Sequence, residues 1–309
     1  MNSFQLKLTA GIVCAFALLA AYLWRSSPQQ SIEASSNFEL LETTSPEETP
    51  SGDPAQLPSG QGDLLESDKP SESKEPVDWK EKRAQALTKD LLDEEWKIRR
   101  GAAATLRDSD IPAALAVPAL TNALSDEEWQ VRKEAALALG SYGNASAPAV
   151  SALIEALTDE EWHVRKPAAE ALGAMGLQAN KAIPALIESL SDEEWQVRNP
   201  AAMALAEMGP ASASAVPALR ESLGDKEWHV VNNSAAALAS IGEAAAPAVP
   251  ELVQALEHEE WHVRSSAAYA LGAIGAEARV GLDQLRAHLE DESPEVQQIV
   301  TEALAKLEP

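Results

Sequence analysis

The sequence predicts an all-α solenoid of tandem helix pairs, and three observations carry that prediction. Tryptophan recurs at Trp96, Trp129, Trp162, Trp195, Trp228 and Trp261, always 33 residues apart, with Pro294 where a seventh would fall. Leucine keeps the same register at Leu91, Leu124, Leu157, Leu190, Leu223, Leu256 and Leu289, and glycine follows at Gly143, Gly176, Gly209, Gly242 and Gly275. The chain is 45% hydrophobic yet only 5% aromatic, with alanine supplying much of the difference, which suits close packing of small-residue helices. A fixed period of this length marks a repeat architecture in which no unit buries its apolar faces alone. Seven such units starting at Asp78 end at Glu308, so the repeat domain spans 78–309.

The first element in chain order is the apolar run Leu8 to Trp24, LTAGIVCAFALLAAYLW, between Lys7 and Arg25. Seventeen residues sit at the short end of what crosses a bilayer as a helix, and Tyr22 and Trp24 suit an interfacial anchor. Residues 1–25 therefore read as a single-pass membrane anchor. The rival reading is a signal peptide cut after Ala15-Phe16-Ala17, which would leave the apolar LLAAYLW as a new terminus. The amino terminus and Lys7 against Arg25 place the N-terminus in the cytoplasm and the repeats on the extracytoplasmic, periplasmic side.

Residues 26–77 turn to Ser, Pro, Glu, Thr and Gly, as in TTSPEETPSGDPAQLPSGQGD, with only Lys69 and Lys74 as cations. This is the composition of a disordered acidic tether, and about fifty residues would hold the following domain several nanometres from a membrane.

Each repeat reads as two helices. In the second unit, Val117, Leu120 and Leu124 form one apolar stripe on helix A, with Pro118 in its first turns, where a missing N–H does least harm. Helix B is expected to start at Ser125-Asp126 as N-cap, with Glu128 completing a capping box, and to stop at Gly140 and Gly143. Val131, Ala135, Ala138 and Leu139 form its buried face, and the alanine row Ala103, Ala136, Ala169, Ala202, Ala235 and Ala268 admits close neighbours. Pro167 and Pro200 fall inside helix B of the third and fourth units and predict an interruption and a kink there.

The pattern D-E-E-W-x-V-R-x-x-A-A-x-A-L-G-x-x-G followed by A-V-P-A-L-x-x-x-L resembles HEAT repeats, most closely the short bacterial and cyanobacterial form of phycobilin-lyase-type proteins. The resemblance covers about three quarters of the chain. It implies a hydrogen-bonded ladder between successive units from an Asp and an Arg six apart, here Asp93/Arg99, Asp126/Arg132, Asp159/Arg165 and Asp192/Arg198. Asp225 with Val231, His258 with Arg264 and Asp291 with Gln297 depart from the motif and predict a ladder that fails toward the C-terminus. Deoxyhypusine hydroxylase, on similar repeats, binds iron through several His-Glu pairs, whereas this chain has one, His258-Glu259.

A formal net charge of −25 excludes nucleic acid as a partner, because phosphate binding needs clustered Lys and Arg. The single cysteine, Cys14, excludes an intrachain disulfide framework. No nucleophile constellation or glycine-rich phosphate loop is present, so the chain reads as a non-enzyme without cofactor or metal, and the lyase resemblance implies a shared scaffold only. The function expected is a scaffold for a protein or extended peptide, basic in character. Two alternatives stand beside it: a lyase-like or chaperone-like accessory of a cofactor-bearing protein, and a mechanical spacer.

The tryptophan row carries two readings. In the structural one each indole covers the Ala and Gly surface of its neighbour, with its N–H satisfied at the helix start. In the functional one Trp129, Trp162, Trp195 and Trp228, with His163, His229, Lys133 and Lys166, line a surface that anchors the partner.

Overall fold

The protein is described by a computed structural model covering residues 79–308. The apolar segment 8–24 and the acidic linker lie outside the described residues.

Among the described residues the regular elements are all helical. Long helices α2 (Trp96–Arg107), α4 (Trp129–Ser141), α6 (Trp162–Ala174), α8 (Trp195–Met208), α10 (Trp228–Ile241), α12 (Trp261–Ile274) and α14 (Pro294–Leu307) form one layer, each against the next. The second layer holds α1 (Trp79–Asp90), α3 (Ala113–Ala123) and the shorter α5 (Val150–Ala156), α7 (Ile183–Ser189), α9 (Val216–Ser222), α11 (Val249–Ala255) and α13 (Leu282–Ala287). From the third unit onward the chain enters this layer through a 3-10 segment, the first being Gly143–Ala149. Helical periodicity in the sequence does not reveal that segment. Its start is set by Gly143, Gly176, Gly209, Gly242 and Gly275, all at positive φ from 51° to 83°, where a side chain would be strained.

Alanine fixes how tightly the long helices pack. Ala103, Ala136, Ala169, Ala202, Ala235 and Ala268 have no exposed surface, and neither do Val131, Ala135, Ala138 and Leu139 on the expected buried face of α4. Both flanks of the helix meet neighbours, so one core runs along the stack, with Leu120, Leu153, Leu186, Leu219 and Leu252 filling the space between the layers. Each buried leucine contributes roughly 1.5–3 kcal/mol.

Five local expectations need correction. Helix α4 starts at Trp129, with Glu128 in the N-cap position and no side-chain cap, so Ser125 does not cap it. Instead Asp126 Oδ1 accepts from the Glu128 backbone N–H at 3.0 Å, folding the acidic triplet into a turn ahead of the helix. Gly140 lies within α4 and only Gly143 ends it: a Cβ on Gly140 would stand 3.3 Å from Ala171 Cα, so that glycine serves helix approach. Pro118 sits inside α3, which begins earlier than the stripe suggested, at Ala113. Helices α6 and α8 run continuously through Pro167 and Pro200, whose rings are buried. Each proline stands one turn from its helix start, so one early ladder bond is lost while packing on both flanks holds the rest. Leu289 ends the leucine series 41% exposed, where the other copies turn inward.

Candidate interaction surface

The ladder is continuous over the first five units. Arg99 Nε and Nη2 donate to the two carboxylate oxygens of Asp126 at 2.6 and 2.8 Å, and Arg132 to Asp159, Arg165 to Asp192 and Arg198 to Asp225 repeat the arrangement. The residues six apart are joined differently, since Nη1 of each arginine donates to the backbone carbonyl of its own unit's Asp, as Arg99 does to Asp93 at 2.9 Å. Each guanidinium thus fastens its own turn and the next unit's turn together. Asp93, first in the row, holds only its own turn through the Glu95 N–H.

The C-terminal failure predicted from the sequence is confined to one junction. Asp225 is held by Arg198, and Asp291 by Arg264 at 2.8 and 2.7 Å, so neither is orphaned. The Asp/Arg motif pairs residues six apart within a unit, whereas the side-chain pair forms 27 residues apart. Only Val231 and His258 break the row, and they are each other's partners in that register. His258 Nδ1 takes over the turn by accepting from the Glu260 N–H at 3.0 Å, while Val231 is buried.

The pairs shift the acidity of their members. Hydrogen bonding to the facing carboxylate raises Arg99, Arg132, Arg165, Arg198 and Arg264 above the ordinary arginine value. Burial pushes Asp126 and Asp225 upward, but hydrogen bonds from the arginine and from the turn N–H outweigh it, and both carboxyls sit low. Asp291 is lowered from 3.8 to about 2, chiefly by the Arg264 hydrogen bond.

Where the residue after a tryptophan is histidine, its ring stacks with indoles of two successive units. His163 lies 3.9 Å from Trp162 and 4.8 Å from Trp129, centroid to centroid. His229 lies 3.7 Å from Trp228 and 5.4 Å from Trp195, and His262 lies 3.7 Å from Trp261 and 5.2 Å from Trp228. Each imidazole is thereby sandwiched between the indoles of two units, with Gln130 and Gln196 at the same register position elsewhere. His163 and His229 are consequently part of the stack, and their Nδ1 atoms are buried without a hydrogen-bond partner.

Trp96, Trp129, Trp162, Trp195 and Trp228 are half-buried and Trp261 is 37% exposed, and every indole from Trp129 on has a ring contact with at least one of the three histidines. Trp96, Trp129 and Trp228 also pack on the core, in keeping with the structural reading. The expected bond at the helix start is not made. Among the described residues no hydrogen bond engages an indole N–H of the row, and these atoms are not among the buried unpartnered ones.

Two rows flank the column. On the N-terminal side stand the half-buried Glu128, Glu161, Glu194, Glu227 and Glu260, one before each tryptophan from Trp129 on, and outside them the strongly exposed Glu127, Glu160, Glu193 and Glu259, with Lys226 breaking that outer row. One helical turn after the tryptophans come Lys133 and Lys166, then Asn199, Asn232 and Ser265. Lys166 reaches Glu170 at 3.7 Å, whereas Asn232 accepts from Ser266 at 2.8 Å and Asn199 from Asn233 at 2.6 Å. The structure therefore gathers Trp129, Trp162, Trp195, Trp228, His163, His229, Lys133 and Lys166 on one surface. The asparagine links between helices were not legible from spacing, because Asn233 and Ser266 stand where Pro167 and Pro200 do.

Comparison with known proteins agrees with this architecture. The model of HEAT repeats matches residues 81–150, 117–206, 183–249 and 235–305. No curated protein sequence matches. A crystal structure of an engineered protein is similar at 27% identity and TM-score 0.59, over 72% of this chain and 68% of that one. A designed armadillo repeat protein in complex with the peptide (KR)4 is similar at 20% identity and TM-score 0.54, over 61% of this chain and 98% of that one. The complex of CpcE and CpcF of phycocyanin lyase from Nostoc is similar at 24% identity and TM-score 0.47, over 79% of this chain and all of the other.

Proposed function

From the premise that this chain belongs to the HEAT repeat family, we propose that it is a non-catalytic scaffold of seven units that binds a protein or extended peptide along its tryptophan column. One observation supports the reading: six successive units present an indole in one register whose N–H has no hydrogen-bond partner among the described residues, on a layer whose helices approach through buried alanines. A surface that is periodic and held rigid costs little ordering entropy on binding, and tryptophan is the side chain most often at the centre of an interface. In this reading residues 8–24 hold the scaffold at a membrane, with the repeats on the extracytoplasmic side.

The test is affinity capture from native membranes and lysate with the detergent-solubilised full chain, beside a variant with Trp162, Trp195 and Trp228 each changed to Phe and unchanged in helicity. One protein enriched by the native chain and lost with the variant supports the scaffold. Enrichment of the same proteins by both removes the column from the interface. Carbonate extraction tests the anchor: release into the soluble fraction with a new N-terminus near Leu18 would overturn it.

A further inference from the structure

We propose that the C-terminal half of the column, Trp195, Trp228 and Trp261, is a docking strip for a basic polyproline II segment, one turn of the segment per repeat unit. The inference rests on the scaffold reading and names its partner's chemistry.

Spacing is the first argument. From Trp195 through His229 to Trp228 the ring centroids step by 5.4 and 3.7 Å, and from Trp228 through His262 to Trp261 by 5.2 and 3.7 Å, with rings within 26° of parallel. Successive indoles are therefore at most about 9 Å apart, and the roughly 8 to 10 Å between helices in close contact puts their spacing near that limit. A polyproline II helix rises about 3.1 Å per residue and three residues per turn, so it presents the same face about every 9.3 Å. A β-strand repeats about every 6.7 Å and an α-helix about every 5.4 Å, and neither keeps register with three successive indoles.

Hydrogen bonding is the second. The polyproline II backbone makes no internal bonds, so its carbonyls are free acceptors. The indole N–H groups of the row have no hydrogen-bond partner among the described residues. One donor per unit thus meets one acceptor per turn, and aromatic surfaces with such donors are a recurring way of holding proline-rich chains.

Charge is the third. Imidazoles fill the spaces between the indole faces, so a cation on the partner cannot stack face-on there. It finds instead Glu194, Glu227 and Glu260, one carboxylate immediately before each indole. Where Lys133 and Lys166 stand on the N-terminal half, the C-terminal half has the neutral Asn199, Asn232 and Ser265. A lysine or arginine at every third position of the segment satisfies that row.

The experiment titrates the full chain in detergent micelles with a labelled peptide of four Pro-Pro-Arg triplets and with its Gly-Ser-Arg counterpart, equal in charge but without polyproline II bias. Indole N–H resonances are followed in the first titration. We expect the proline peptide to bind about 10-fold more tightly, to shift the indole N–H signals of Trp195 and Trp228, and to lose that advantage with Trp195→Phe and Trp228→Phe combined. Equal affinity for both peptides, or binding that leaves the indole signals unmoved, overturns the proposal. So does no binding of either, an outcome that leaves the capture test of the scaffold itself intact.

Discussion

Arg165 grips both carboxylate oxygens of Asp192, 27 residues on, at 2.7 and 2.8 Å, while its third nitrogen donates to the backbone carbonyls of Asp159 and Glu160 at 2.9 and 3.0 Å. The pair is about 10% exposed on each side, so removing the guanidinium strands a largely desolvated carboxylate and frees two turns at once. Breaking such a pair costs several times what a surface ion pair contributes. Arg165→Met should destabilise the repeat domain by about 3 kcal/mol. The check is thermal unfolding followed by helicity, with Arg286→Met as control: Arg286, half exposed, bonds Glu308 at the surface, where solvent screens the pair, and its loss should leave the melting temperature nearly unchanged.

Acid should weaken the fold in a defined window. Asp291 is about 4% exposed and titrates at about 2 rather than 3.8, and Asp126 and Asp225 are lowered as well. A carboxyl whose folded value is depressed contributes stability that is present above its unfolded value and lost as pH falls through the folded one. For Asp291 that contribution is about 2 kcal/mol, present at pH 5 and lost progressively as pH falls through the folded value of about 2. The melting temperature should fall over that range, and Asp291→Asn should start lower at pH 7 and fall less. A variant with an undiminished acid slope would remove Asp291 from the account.

These pairs also show how far the sequence could be read. Period, helix pairs, the alanine row and the residue types of the ladder were all legible, because a repeat fold writes each contact several times at one spacing. Partner identity was not: Asp126 and Arg132 look paired in the sequence, yet Arg132 reaches forward to Asp159 and Asp126 is held by Arg99. Contact across a unit boundary is invisible to spacing within a unit, and three apparent defects therefore reduced to one. Helix starts were misread for a related reason. Asp126 satisfies the Glu128 N–H from outside the helix, so the acidic triplet forms a turn where capping rules place a first helical turn. In the candidate surface the tryptophan row was visible, but the stacking of His163 and His229 between indoles of two units required the packing of α4 on α6 and of α8 on α10.

Glycine inside these helices should show opposite signs at two positions. A Cβ on Gly173 would lie 3.1 Å from Ala204 Cα, closer than ordinary contact, whereas nothing lies within 4 Å of one on the exposed Gly101. Alanine gains about 1 kcal/mol over glycine in a helix interior, and overpacking costs roughly 1–3 kcal/mol. Gly101→Ala should therefore stabilise by about 1 kcal/mol and Gly173→Ala should destabilise by a similar amount. Melting temperatures of the two variants, moving in opposite directions, are the check, and a parallel rise would mean that α6 and α8 separate freely.

The single break in the ladder offers the sharpest test of how the units are joined. Val231 and His258 occupy the arginine and aspartate positions of one junction, and His258 replaces only the turn-forming half of the aspartate's role, by accepting from the Glu260 N–H. Restoring the pair requires both changes. Val231→Arg alone buries a guanidinium against an imidazole and should destabilise. His258→Asp alone keeps the turn acceptor but gains no clamp. Together they should be more stable than the sum of the singles by about 2 kcal/mol, the size of coupling seen for directly bonded neighbours. The same double variant should slow amide exchange at the start of α12 to the level of the start of α8, where Arg165 of the preceding unit already grips the carboxylate of Asp192. If the two changes add without coupling, α10 and α12 are held by apolar packing and the Ser266–Asn232 bond without help from a clamp, and the guanidinium ladder elsewhere is a consequence of the stack rather than one of its causes.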